Sequence, residues 1–226
     1  TQAEQSARAA VSWDTTDANN WLTLSQVYQL VAGSTENSGY NNAKQASDEA
    51  QKLSPTNPII AINNAQLALI KKDVQGALDA VADAIRLKNN YLDAYVLRAQ
   101  IRVSQGDTQA SIDEINNYIK IAPFDDQGYL LLGQVESNAK NYQLALDAFN
   151  RAKQLNPTNP TASLGVINTW ILMGQKSQAI EGLQALKTQF PNITGIDEKI
   201  AELQRSADAP VAPVVVPNTK PTPKKK

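Results

Sequence analysis

Apolar residues recur along the chain at intervals of three and four, the spacing that puts one apolar stripe on a helix. No stretch alternates apolar and polar at period two over a useful length, so the pattern predicts an all-α chain of about a dozen helices. Helix-breaking residues bracket the apolar segments: Pro55 and Pro58, Asn89 and Asn90, Pro123, Pro157 and Pro160, and Pro191. Asn57 before Pro58 and Asn159 before Pro160 have the form of a helix start, with a capping side chain followed by proline at the first helical position. Pro123, Pro157 and Pro191 are spaced 34 residues apart, and such a fixed period marks a repeat array. The clearest unit is 126–159, two helical patterns back to back and closed by Pro157.

Set in register against that unit, the chain divides into 18–57, 58–91, 92–125, 126–159 and 160–193, each a first helix (A), a turn, a second helix (B) and a breaker. In 126–159, repeat positions 4, 7, 8, 20, 24, 27 and 32 are Tyr129, Leu132, Gly133, Ala145, Phe149, Ala152 and Pro157. This motif resembles the tetratricopeptide repeat family, with Glu136 at position 11 as the departure. In 18–57 the matching residues are Trp21, Leu24, Ser25, Tyr28, Ala43, Ala50 and Pro55. The resemblance implies a right-handed α-solenoid in which small residues let neighbouring helices approach closely. Elsewhere the motif is interrupted by Asn64 and Arg98 at position 7, Arg102 at position 11 and Asn89 at position 32. Arg98 and Arg102 share a helix face, from which they can pair with Glu114 or Asp113 or reach solvent.

Four stretches, one inside the array and three outside it, are less regular. Residues 1–17 echo a B helix through Ala3, Ala7 and Ala10, which reads either as a half-repeat or as a lone N-terminal helix. Six extra residues between Tyr28 and Ala43 predict an enlarged loop over 31–42. At 194–206 Ile196, Ile200 and Leu203 lie opposite a charged face, as expected of a capping helix. The 207–226 segment, rich in proline and ending in three lysines, predicts an extended tail.

Composition narrows the chemistry. The 226 residues contain neither cysteine nor histidine, which removes thiolate chemistry and the commonest general base and metal ligand. A net charge of −1 argues against a nucleic-acid surface. No cofactor, metal site or catalytic activity is expected. Asp113-Glu114 and Asp125-Asp126 read as solvated or helix-start charges, because adjacent helical residues do not face each other. No apolar run approaches the roughly 20 residues of a membrane-spanning helix, so direct membrane insertion by this chain is not expected. A first residue Thr1 predicts a processed chain or part of a longer one.

The resemblance implies that A helices line a concave groove and that positions 5 and 9 point into it. Position 5 holds Leu22, Ile62, Val96, Leu130 and Leu164, and position 9 holds Gln26, Gln66, Gln100, Gln134 and Asn168. A carboxamide both donates and accepts, so a ladder of them suits the backbone of an extended peptide, with the aliphatic row taking its apolar side chains. Basic residues of the kind that grip a C-terminal carboxylate are missing from position 5. The sequence thus predicts a non-enzymatic protein-interaction scaffold that binds a peptide in its groove. Two alternatives stay open: a self-assembling structural subunit that stacks end to end, and the soluble part of a membrane or cell-envelope protein. The second would place the chain outside the cytoplasm, with which absent cysteine is compatible.

Overall fold

The computed structural model describes residues 1–32 and 36–205, without the side chains of 31, 32 and 36–38. The tail expected at 207–226 lies outside the described residues. The described residues form twelve helices and no strand: α1 Gln2–Trp13, α2 Ala18–Ala32, α3 Glu36–Leu53, α4 Pro58–Ile70, α5 Val74–Leu87, α6 Leu92–Ser104, α7 Thr108–Ile121, α8 Asp126–Asn138, α9 Tyr142–Leu155, α10 Pro160–Leu172, α11 Lys176–Gln189 and α12 Ile196–Arg205. The fold is an all-α solenoid of helix-turn-helix repeats. It comprises two compact units, Thr1–Glu114 and the part from Ile115 on.

Local sequence sets the helix ends. Asn57 Oδ1 accepts from the Ile59 N–H and Asn159 Oδ1 from the Thr161 N–H, each at 3.0 Å, with Pro58 and Pro160 opening their helices. These caps occupy N–H groups that the first turn leaves without helical partners. Asp73 and Asp107 likewise accept from Gly76 and Ala110 at the starts of α5 and α7. Between A and B, the residue at repeat position 15 has a left-handed backbone in all four repeats after the first. Lys72 (φ 60°), Gly106 (76°), Lys140 (65°) and Gly174 (74°) hold that place.

In unit 1 the B-helix alanines Ala43, Ala50, Ala77 and Ala84 are completely buried, as the close helix approach requires. One core gathers Ile62, Ala65, Leu78, Val81 and Ile101, and another packs Ala7 and Val11 of α1 against Leu24, Tyr28 and Leu67. Of the three α1 alanines that echo a B helix, only Ala7 is buried; Ala10 is half-buried and Ala3 exposed.

The loop expected over 31–42 is corrected. Helix α2 runs to Ala32 and α3 begins at Glu36, so most of the six extra residues lengthen α3 to 18 residues. The extension is held by packing: Tyr40 lies against the α1–α2 core, and the Lys71 ammonium sits 4.3 Å over its ring.

The departures from the motif resolve as structure. Arg98 Nη2 donates to Glu114 Oε2 at 2.6 Å, with only 22% and 14% of the two side chains exposed. Glu114 is therefore a largely buried ion-pair partner and not part of a solvated face. Arg102 donates to Gln105 Oε1.

In unit 2, Asp125 caps α8 by accepting from the Gln127 N–H and also accepts from the Tyr118 hydroxyl. Glu136 is buried and accepts from Asn141 Nδ2 at 2.8 Å. Gly133 and Gly165 give room to Phe149, since a Cβ on either would lie 2.5 to 2.7 Å from its ring. Past α11, Ile196 and Leu203 of α12 join the core of Leu164, Ile167, Leu183 and Leu186, while Asp197 on the outer face pairs with Lys187.

Candidate functional site

The A helices of unit 1 are α2, α4 and α6, and those of unit 2 include α8 and α10. Gln26, Gln66 and Gln100 in unit 1 and Gln134 in unit 2 are exposed; Asn168 is half-buried. The amides therefore stand on the surface of each unit, three in the first and two in the second.

The aliphatic row does not stand beside them. Leu22, Ile62, Leu130 and Leu164 are 6%, 8%, 8% and 2% exposed, and Val96 is half-buried. Expecting Leu22, Ile62, Leu130 and Leu164 to present apolar contact surface is thus corrected. Leu22 packs with Ala50 and Ile60, Ile62 with the α4–α6 core, Leu130 with Phe149, and Leu164 with Leu183. Closing them against neighbouring helices removes apolar area from water without any partner.

The exposed apolar groups lie one turn further along each helix. Leu30 follows Gln26 by four residues and is 83% exposed, while Ile70 follows Gln66 by four and is 41% exposed. Val103 follows Gln100 by three, and Leu172 follows Asn168 by four; both are also exposed. Residues three and four apart share a helix face. Each of these A helices therefore shows an amide followed by an aliphatic group, and α8 shows Gln134 followed by Asn138. The signal was present in the spacing, but identical spacing also separates position 5 from position 9, and sequence alone does not say which side of the amide is covered. Of the position-12 aliphatics, Leu69 is half-buried and Ile171 buried, which leaves Val103.

A buried polar network fixes α2, α3 and α4 under the first two amides of the row. Asn63 is 1% exposed; its Nδ2 donates to Ser25 Oγ and Ser47 Oγ, both at 2.9 Å. Its Oδ1 accepts from Gln29 Nε2 at 2.6 Å. Ser25 Oγ donates to the Ala43 carbonyl, and Ser47 Oγ donates to Asn64 Oδ1. Asn64 at an apolar motif position is explained by that last bond. A network satisfied on every arm holds its helices in one register, because any slip would leave buried polar groups unpaired.

Nothing in either row has the makings of a reaction centre. Among the described residues no group of three His, Cys, Asp or Glu could hold a metal ion, and no helix is long and apolar enough to cross a membrane.

Residues 96–160 match the family model described as tetratricopeptide repeat. No curated protein sequence matches the chain. Among solved structures, the chain is similar to YrrB, described as a TPR protein with an unusual peptide-binding site. That match has 14% identity and a TM-score of 0.56, and it covers 88% of this chain and all of YrrB. It is similar to TTC0263 of Thermus thermophilus, a thermophilic TPR protein, at 18% identity and a TM-score of 0.59 over 83% of this chain and 99% of that one. Yeast Tom70 shares the fold with a TM-score of 0.70 at 15% identity, over 90% of this chain and 42% of Tom70. The motif residues repeat in one phase along the helices, residues 96–160 match the tetratricopeptide repeat model, and the fold is that of solved TPR proteins.

Proposed function

We propose that this chain is a protein-interaction scaffold that holds an extended peptide along its A-helix faces. The observation that supports this most directly is the pairing of an exposed amide with an exposed aliphatic residue on the three A helices of unit 1: Gln26 with Leu30, Gln66 with Ile70, and Gln100 with Val103. Amides offer donors and acceptors to a peptide backbone, and the aliphatic groups take its apolar side chains. Gln134 and Asn168 with Leu172 offer the same chemistry in unit 2. The peptide-binding site named for YrrB is consistent with such use of the fold. The peptide is read as neutral and partly apolar, because these rows carry no charge.

The test is capture of partners by the purified chain and by a variant carrying Gln66→Ala, Gln100→Ala and Gln134→Ala. Each amide lost removes about 1 kcal/mol of net hydrogen bonding, so the triple variant loses on the order of a hundredfold in affinity. Partners retained at full strength by a correctly folded triple variant would rule out the reading.

A second reading is self-association. It is favoured by Trp13 at the end of α1, which is 93% exposed. Tryptophan is enriched at protein interfaces, where its large ring buries area and its N–H finds a partner.

A further inference from the structure

In three repeats the aromatic residue at position 4 performs the same service. Trp21 Nε1 donates to the Thr15 carbonyl at 2.9 Å, Tyr95 OH to Asn89 O at 2.9 Å, and Tyr129 OH to Pro123 O at 3.4 Å. Each ring reaches back six residues to the turn that precedes its helix. In the repeat 58–91 the position is Ala61, and the corresponding carbonyl, Pro55 O, accepts from Gln51 Nε2 instead. In the repeat 160–193 the position is Ser163, and Pro157 O accepts from Gln189 Nε2 at 3.0 Å.

Ser163 is not the only truncation there. Position 26, where Arg151 lies 5.9 Å over the Tyr129 ring, is Ala185, and position 23, Ala148 in the preceding repeat, is Gly182. Ring, guanidinium cover and methyl are thus reduced together to Ser, Ala and Gly. All three line one cavity of about 360 Å³ between α9, α10 and α11. That volume falls at the lower end of the range for small-ligand sites. Trp170, Val166, Ile167 and Leu186 supply apolar walls. Gly182 lets the indole of Trp170 lie close, since a Cβ there would come within 2.9 Å of it. Lys153 and Glu181 are also among the lining residues.

We propose that this cavity is a recognition pocket for a single aromatic side chain, phenol or indole, presented by a partner protein. The chain fills the equivalent place with its own ring in three other repeats, so the surrounding backbone already suits one. A ring entering here packs on Trp170, and Lys153 can take the role over it that Arg151 takes over Tyr129. Ser163 and Asn168 are five residues apart, roughly 140° around α10, so the pocket opens on a different face from the amide row.

The experiment follows the three tryptophan indole N–H resonances of the ¹⁵N-labelled full chain, with Trp170 assigned through Trp170→Phe. The probes are 4-methylphenol and cyclohexylmethanol. The expected result is a saturable shift of the Trp170 signal with 4-methylphenol at millimolar concentration, and at least tenfold weaker binding of cyclohexylmethanol. Ser163→Tyr restores the repeat's own ring, so it abolishes the shift and raises the melting temperature. Ala185→Arg restores the cover and blocks binding by itself, which keeps the test decisive should Ser163→Tyr not fold. A missing or unsaturable shift overturns the proposal, as do equal binding of the two probes and a shift that survives both substitutions. So does a Trp170 shift driven by protein concentration alone and removed by Trp13→Ala, which would make a second copy the occupant. The Gln-to-Ala substitutions of the peptide test lie outside this pocket, so failure of either proposal leaves the other standing.

Discussion

Asn63 shows how much can rest on one side chain. It is buried, its three hydrogen-bonding arms are all engaged, and those arms tie Gln29, Ser25 and Ser47 on two other helices. Asn63→Ala leaves these groups short of a partner in a place water does not reach. The expected loss is about 1–3 kcal/mol of stability, read by urea denaturation of the variant against the parent chain. An unchanged midpoint would mean that water replaces the amide. The same residue illustrates what a motif hides. Neither Asn63 nor the Asn64 that interrupts the apolar pattern announces a network in the sequence, because their partners lie 13 to 38 residues away.

Elements in this chain were largely legible from the sequence. The 3.6-residue period, the Asn-Pro starts and the 34-residue spacing place the described helices, because helix starts and stops are local chemistry. One element was misread. Ala-Gly-Ser-Thr-Glu-Asn-Ser-Gly looks like a loop, yet from Glu36 onward the chain is helical because Tyr40 and Ala43 have a core to pack against. Propensity is weak beside tertiary burial. The A–B turns carry a testable cost. Gly106 and Gly174 adopt the left-handed conformation freely, whereas Lys72 and Lys140 hold it against the clash of their Cβ atoms. Lys72→Gly and Lys140→Gly should each stabilise the chain by about 1 kcal/mol, visible as a higher midpoint of thermal unfolding monitored by circular dichroism. A lower midpoint for both would show that other contacts of these lysines outweigh the backbone strain.

For the whole molecule, ends matter more than in a compact domain. Helical repeats in a row bury apolar faces on their neighbours, so the last helix of a row needs a cover with a polar outer side. Helix α12 supplies one, with Ile196 and Leu203 inward and Asp197, Glu198 and Glu202 outward. At the other end α1 buries Ala7 and Val11 but leaves Trp13 in water. If copies associate through that residue, the molar mass from light scattering rises with protein concentration in the parent chain. Trp13→Ala then holds it at the monomer value. A mass that stays monomeric in both at high concentration removes the self-association reading.

The sequence by itself determined the helical class, the repeat period and the register, because these follow from local periodicity and breakers. It also picked out Gln26, Gln66, Gln100, Gln134 and Asn168 as a row. Only the tertiary structure decided which neighbours of those amides face water. Leu22, Ile62, Leu130 and Leu164 went into the core, and Leu30, Ile70, Val103 and Leu172 stayed outside. Both sets stand one turn from an amide, so periodicity could not separate them. The separation comes from which side of each helix its neighbours cover, and that depends on residues tens of positions away. The same reason hid the Ser163 pocket. A serine in a helix is unremarkable until the ring, the guanidinium and the methyl missing around it are seen to fall in one place.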